Sequence, residues 1–332
     1  MNRKRRKRDT NLVLRDNAVG NLTRDRYAVS LSRFLLYCTF VFISTDLLFV
    51  DGQATDYMIS EYLQFLYENN FPMNWAGILL SAVQDKYPVL RRQINGSWRS
   101  FAAWRRLEPA QRARPIGIVV LQLLLHTLFV HATEQNVLQV FVIAVHMLLI
   151  FCGLLRPSEA RSLRWRDIAL EVHADGSVLI SIAVQGKTSG RKHIIEYLSI
   201  DDAFLFVLLS TLTPFFSTDD FIWTFSQDFF GRFFPLLQSA ANLRGYTPYS
   251  FKRGGATAHF MRFRNYDQLC QLGRWSSITA ARLYVDDSMA SLTRMQVPLH
   301  ARARSSEVLR RLVRLHRRLG GVESSAVLEI SP

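Results

Sequence analysis

Gly245–Val285, GYTPYSFKRGGATAHFMRFRNYDQLCQLGRWSSITAARLYV, is the stretch from which the rest of the chain is read. It sets Lys252, Arg253, Arg262, Arg264, Arg274 and Arg282 around one Trp275 and one Tyr284, with Gly254-Gly255 between them. So many cations make a poor core. They suit an anion with several oxygens, of which a phosphodiester is the usual case. Tyr284 follows a short helix-like run, next to Arg282 and ahead of Asp286-Asp287. A buried aromatic is the plain alternative for this tyrosine, and the remaining segments have to decide between the two.

The 332 residues leave room for two domains, one of about a hundred residues and one of about two hundred. Hydrophobic residues make up 49% with 23 Phe, enough for sizeable cores, which excludes a globally disordered chain. The formal charge of +14, carried mostly by Arg, favours a polyanionic partner: nucleic acid or an anionic membrane surface. Cys38, Cys152 and Cys270 lack the spacing of a zinc pair or a disulfide framework, so neither is expected and a reducing compartment fits; separately, no motif calls for a cofactor and none is expected. The opening MNRKRRKRDT has no apolar segment behind it and does not read as a secretory signal. It reads as a nuclear-import sequence, an arm on phosphates, or a solvated tail, and an intracellular, nuclear or otherwise DNA-associated protein is expected.

Val137–Leu155 (VLQVFVIAVHMLLIFCGLL) approaches the length of a membrane span. It carries Gln139 and His146 and runs straight into Arg156, Glu159 and Arg161, while the shorter Ile116–Val130 carries Gln122 and His126. Two buried core helices explain both runs better than a membrane protein does.

Four regions follow in order: a basic arm over 1–21, a helical module over 22–113, a larger domain over 114–297, and a basic amphipathic tail over 298–332. In the module, apolar spacing predicts helices from Leu22, from Asp56, over Trp75–Tyr87 up to Pro88, and over Ser97–Leu107. The last carries Trp98, Phe101 and Trp104, with Arg105 and Arg106 on its rim. EPAQRARP, 108–115, is the linker. In the larger domain a helix over Ser158–Trp165 precedes three antiparallel strands, Ile168–His173, Val178–Gln185 and Lys192–Ser199, with turns at Asp175-Gly176 and at Lys187 to Gly190. Further helices are expected over 201–212, 229–242, 251–260, 266–272 and 279–285. The fold class is mainly α with one small antiparallel β-sheet. The tail helix suits a partner subunit, DNA or a membrane, and Ser305 or Ser306 would cap it.

Four signals now stand in order. GLLRPSEARSLRWRDI carries Arg156 and Glu159; QGKTSGRKHIIEYLSI carries Lys187; YSFKRGGATA carries Tyr249, Lys252 and Arg253; LGRWSSITAARLYV carries Trp275 and Tyr284 nine positions on. In these boxes the sequence resembles the tyrosine recombinase (phage integrase) family. The Gly-Gly-Ala-Thr form of the third box is similar to the Crypton and DIRS recombinases of eukaryotic mobile elements. The resemblance covers about 114–297. The helical module matches the family's SAM-like core-binding domain in position and size only.

The resemblance implies a catalytic domain that cuts and rejoins double-stranded DNA through a 3′-phosphotyrosyl bond, working as a homo-oligomer, a tetramer on paired sites. It implies Arg156 as the first phosphate clamp with Glu159 supporting it, Lys187 as general acid, Trp275 against the scissile phosphate and Tyr284 as nucleophile. The chemistry asks for the same parts. Guanidinium groups hold the non-bridging oxygens of the transition state, a lysine protonates the leaving 5′-oxygen, and a phenol attacks. Where the family pattern has His and then Arg three residues on, this chain has Tyr249 and Lys252; slipping by one places Arg253 at the clamp and Ser250 at the histidine. Lysine is a point charge without the guanidinium fork. A recombinase-derived protein that binds DNA without cutting it is therefore the second reading. Phosphate contacts are expected from Arg105, Arg106, Arg112, Arg114, Arg164, Arg191, Lys192, Arg274 and Arg282.

Overall fold

A computed structural model of the chain describes residues 19–43, 48–109, 112–185, 195–286 and 307–318. The chain divides into two compact units, Met1–Gln111 and Arg112–Pro332.

The first unit holds α1 (Asn21–Phe40), α2 (Gly52–Glu68), α3 (Met73–Lys86), a 3-10 turn at Pro88–Arg92 and α4 (Asn95–Leu107). Its core joins Phe34, Ile59, Leu66, Leu79, Val83 and Ile94. Apolar periodicity located these helices; it misplaced the start of α2. Asp51, not Asp56, is the N-cap, its carboxylate accepting from the Gln53 amide at 2.8 Å. Asp56 instead reaches across to α4 and accepts from the amides of Gly96 (2.8 Å) and Ser97 (2.7 Å) and from the Ser97 hydroxyl (2.5 Å). It supplies the cap that α4 lacks in its own sequence.

The second unit is built on α5 (Ile118–Val130) and α6 (Val137–Cys152), buried nearly all round. No described helix is long and apolar enough to cross a membrane. His146 sits inside α6 with its ring 4.4 Å from Trp223 and 4.9 Å from Phe230. Burial, helped by Arg161, pushes its pKa down to about 3, so it packs as a neutral aromatic. α7 (Pro157–Ser162) leads into β1 (Ile168–Val172), β2 (Val178–Gln185) and β3 (Ile195–Ile200), an antiparallel sheet in the order β1-β2-β3. Val178, Ile180, Ile182 and Val184 of β2 face the core, and Gly176 makes the first turn at φ +83°. Then come α8 (Ala203–Leu212), α9 (Phe229–Ala240), α10 (Tyr249–Phe263), α11 (Tyr266–Gly273), α12 (Ile278–Arg282) and α13 (Val308–Arg318). Among the described residues the chain is mostly helical with one small antiparallel sheet, as expected.

Two features position the site. Gly254 and Gly255 let α10 run against main chain: a Cβ on Gly254 would stand 1.9 Å from the Ile116 carbonyl oxygen, and one on Gly255 1.9 Å from that of Phe151. The Ile116 amide bonds the Ser250 carbonyl at 3.1 Å. The start of α10 is thereby pinned beside the end of α6, where α7 begins. α13 folds back on its own unit: Val308, Leu312 and Leu315 enter the core shared with α5 and α8. That packing answers the open question of the tail's apolar face. Ser305, Ser306 and the ends of the basic arm and tail lie outside the described residues.

Candidate active site

Past α6 the chain turns through Leu154 at φ +47°, and Arg156 becomes the N-cap of α7. The Glu159 carboxylate accepts from the Arg156 amide at 2.7 Å and from its guanidinium at 2.5 Å. The Arg156 side chain stays 43% exposed while that of Glu159 is only 4% exposed, so the cation faces outward from a buried anion. Burial alone would raise the Glu159 pKa. The Arg156 amide and the guanidinium groups of Arg274 and Arg156 outweigh it and hold the carboxyl below its usual range.

α10 brings Tyr249, Lys252 and Arg253. The Tyr249 and Tyr284 hydroxyls are 2.6 Å apart. Tyr284 follows α12 and is held through Thr257: its carbonyl accepts from Thr257 Oγ1 at 3.3 Å, and Thr257 Oγ1 in turn accepts from the Asp286 amide at 3.1 Å. The Trp275 ring lies 4.5 Å from that of Tyr284, seated over Gly273, where a Cβ would stand 2.1 Å from the indole. Burial, and then the Tyr284 hydroxyl bonded to it, push the Tyr249 pKa up.

Lys252 is fully buried beneath these rings, Nζ 5.1 Å from the Trp275 centroid and 5.6 Å from that of Tyr284. Its Nζ has no hydrogen-bond partner among the described residues. Burial pushes its pKa down to about 7, opposed by Glu159 and abetted by Arg156 and Arg274. Arg253 is buried too, with Nη2 3.6 Å from Asp286 Oδ2 and with Tyr249 and Tyr284 among its electrostatic neighbours. Burial lowers its pKa and Asp286 works against that. Of the two residues competing for the second clamp position, Lys252 faces Trp275 and Tyr284.

The fold thus gathers Arg156, Glu159, Tyr249, Lys252, Trp275 and Tyr284, drawn from segments more than a hundred residues apart in the chain. Lys187, Arg191 and Lys192 lie outside the described residues. Arg105, Arg106, Arg112 and Arg282 are exposed. Arg114 is half-buried with its guanidinium 5.6 Å from the Tyr246 ring, and Arg164 lies over Phe221 at 4.0 Å and bonds the Asp219 carbonyl.

Arg274 departs from expectation. It is 7% exposed, with Nη2 2.5 Å from Glu159 Oε2 and Nε 3.0 Å from Glu196 Oε2. As the αL cap of α11, at φ +55°, it is turned inward and is no surface phosphate contact. The sequence reading missed Glu196 and Thr257. Nothing local marks Glu196, a strand residue of ordinary type; Thr257 stood in the third box without an assigned role. Among the described residues no cluster of His, Cys, Asp or Glu could hold a metal.

Arg156 and Arg274 are the cations, and Glu159 the anion, that act on buried Lys252, and the Tyr249 and Tyr284 hydroxyls are among the electrostatic neighbours of the half-exposed Arg156. No family model matches the sequence, and no curated protein is similar to it. Solved structures are similar in fold. The XerH site-specific recombinase bound to a palindromic difH substrate, a post-cleavage complex, gives a TM-score of 0.58 at 14% identity over 80% of this chain and 76% of that one. A pre-cleavage XerH complex with difH gives 0.53, also at 14% identity, over 84% of this chain and 81% of that one. The fold is that of the tyrosine recombinases.

Proposed function

We propose that this protein cuts and rejoins double-stranded DNA through a covalent phosphotyrosine at Tyr284. The observation that carries this reading is the Tyr284 hydroxyl, 2.6 Å from that of Tyr249 in a cluster with Trp275, Lys252 and Arg156. The similarity in fold to DNA-bound XerH supports it.

In this reading the half-exposed Arg156 guanidinium holds two non-bridging oxygens of the scissile phosphate, and Lys252 adds a single charge behind them. The Tyr284 oxygen attacks phosphorus, its phenol proton leaving to solvent; the bond to tyrosine forms as the bond to the 5′-oxygen breaks. The departing oxygen takes a proton, which Lys187 supplies as general acid. The ester bond is conserved in the phosphotyrosine, so the released 5′-hydroxyl reverses the step without ATP or metal. Four protomers on paired sites, an origin in eukaryotic mobile elements and a nuclear setting belong to the same proposal and rest on the resemblance of the four boxes.

One observation favours a second reading, in which the chain binds DNA and no longer cuts it. In the register that puts Lys252 at the second clamp position, that residue is a buried lysine and the residue at the histidine position, Tyr249, is a phenol whose pKa is raised. Incubation with nicked suicide duplexes separates the two. The proposal expects a covalent adduct that maps to Tyr284 and is lost in Tyr284→Phe. Retained DNA binding with no adduct would overturn it and leave the second reading.

A further inference from the structure

Resting on the cleavage reading above, we propose that Arg274 is a positioning residue that ties strand β3 to the phosphate-holding Arg156 by way of Glu159. Four side chains of alternating charge form one chain of contacts. Arg156 Nη1 hydrogen-bonds Glu159 Oε1 at 2.5 Å and Arg274 Nη2 hydrogen-bonds Glu159 Oε2 at 2.5 Å, while Arg274 Nε stands 3.0 Å from Glu196 Oε2 as an ion pair without hydrogen-bond alignment. The contacts join the start of α7, the turn after α11 and strand β3, three segments with no other reason to share a charge network.

The middle of the chain is buried and its ends are open. Glu159 and Arg274 are 4% and 7% exposed; Arg156 and Glu196 are 43% and 31% exposed. A buried carboxylate needs both of its oxygens satisfied, and Glu159 achieves this with one guanidinium on each oxygen and the Arg156 amide in addition. The guanidinium fork offers a separate nitrogen to each of the two carboxylates, whereas a lysine in its place would have to bring both to one ammonium nitrogen. The αL backbone of Arg274 and the Trp275 ring packed over Gly273 fix the direction of that fork.

A consequence follows for Arg156. Its guanidinium is oriented by Glu159, and Glu159 is oriented by Arg274, so a displacement of β3 at Glu196 is transmitted to the group that holds the phosphate. β3 is also the strand that leaves the 186–194 segment carrying Lys187. The network gives the clamp and that segment's return strand a common anchor.

The test uses the full-length protein and two mild variants, Arg274→Lys and Glu196→Gln, with their double variant. Single-turnover adduct formation on nicked suicide duplexes is expected to slow about tenfold in each single variant, with the dissociation constant for the duplex unchanged. The double variant is expected to be no slower than the worse single one, because both break one chain of contacts. A role limited to stability would move the melting midpoint and leave the rates alone. Unchanged rates, or multiplicative losses in the double variant, overturn the proposal.

A second readout needs no cleavage. In protein with ¹⁵N-labelled arginine, the side-chain Nε–H resonance of Arg156 is expected to shift in both Glu196→Gln and Arg274→Lys without DNA present. Resonances that match the wild type overturn the coupling even if the protein cuts nothing. A wild type without adduct, but with the Arg156 shift, overturns the cleavage reading and leaves the coupling in place.

Discussion

The hydroxyls of Tyr249 and Tyr284 lie 2.6 Å apart, joining the first residue of α10 to the second residue past α12. The contact places one phenol where it can donate to the other as the other becomes anionic. Tyr249→Phe removes that donor, so adduct formation by Tyr284 is expected to fall roughly tenfold to a hundredfold, the value of one hydrogen bond to a charged oxygen. Tyr284→Phe abolishes the adduct. Rapid-quench gels on suicide duplexes measure both, and equal total loss in the two variants would show that Tyr249 does more than donate.

Under the proposed function, Lys252 makes DNA affinity depend on pH. In the free protein its pKa is pushed down to about 7 because burial leaves the ammonium without a partner. A phosphate beside it restores the charged form, so binding takes up a proton above that pH. Affinity is therefore highest below about pH 7 and declines as pH rises through it, by at most about tenfold per unit. Titrations at fixed salt are expected to show this slope in the wild type and its absence in Lys252→Met.

The same group acts on stability. Its folded pKa of about 7 lies under the ordinary lysine value of 10.5, so between the two the unfolded chain binds more protons and stability rises with pH. Below pH 7 the cost of the buried charge is present in full. Lys252→Met is expected to melt well above the wild type at pH 6, with the gap closing towards pH 10. A gap that stays constant across that range contradicts the burial of this amine.

Glycine substitutions separate close backbone approach from plain helix entropy. Gly255→Ala drives a Cβ to within 1.9 Å of the Phe151 carbonyl oxygen, which cannot swing aside, and is expected to cost about 3 kcal/mol or more. Gly231→Ala lies in α9 with nothing within 4 Å of the new Cβ and is expected to stabilise by about 0.5–1 kcal/mol. Thermal melts of the two give opposite signs.

Asp56→Ala removes the cap of α4 and leaves the Gly96 and Ser97 amides without their carboxylate. The expected loss is about 1–2 kcal/mol. The read-out is faster amide exchange through the first turn of α4 while α2, capped by Asp51, keeps its protection.

Most elements were legible because their signals are local. Apolar spacing marked α1 to α4, continuous apolar runs marked α5 and α6, a strand-like run marked β2, and Asp175-Gly176 marked the first turn. The boundaries that slipped did so where a distant residue intervenes. α2 starts four residues ahead of Asp56 because Asp51 caps it, and α4 starts early because Asp56 arrives from another helix. The third box reads YSFKRGG, and no rule of sequence chooses between Lys252 and Arg253; two residues adjacent in a helix point about a hundred degrees apart.

Residue types and spacing alone gave the mainly α class with one small sheet, because periodicity and composition act over a few residues at a time. That Arg156, Glu159, Lys187, Tyr249, Lys252 or Arg253, Trp275 and Tyr284 share one site was implied by the resemblance of the four boxes to the tyrosine recombinases. Tertiary structure decided which way each cation faces. It turned Arg274 inward onto Glu159 and Glu196, sent Arg253 to Asp286, and buried Lys252 under Trp275 and Tyr284. The physical reason is that a charged side chain near a buried carboxylate follows the electrostatics of groups brought together from remote segments. In the sequence an arginine that holds a phosphate and one that holds a glutamate are written the same way.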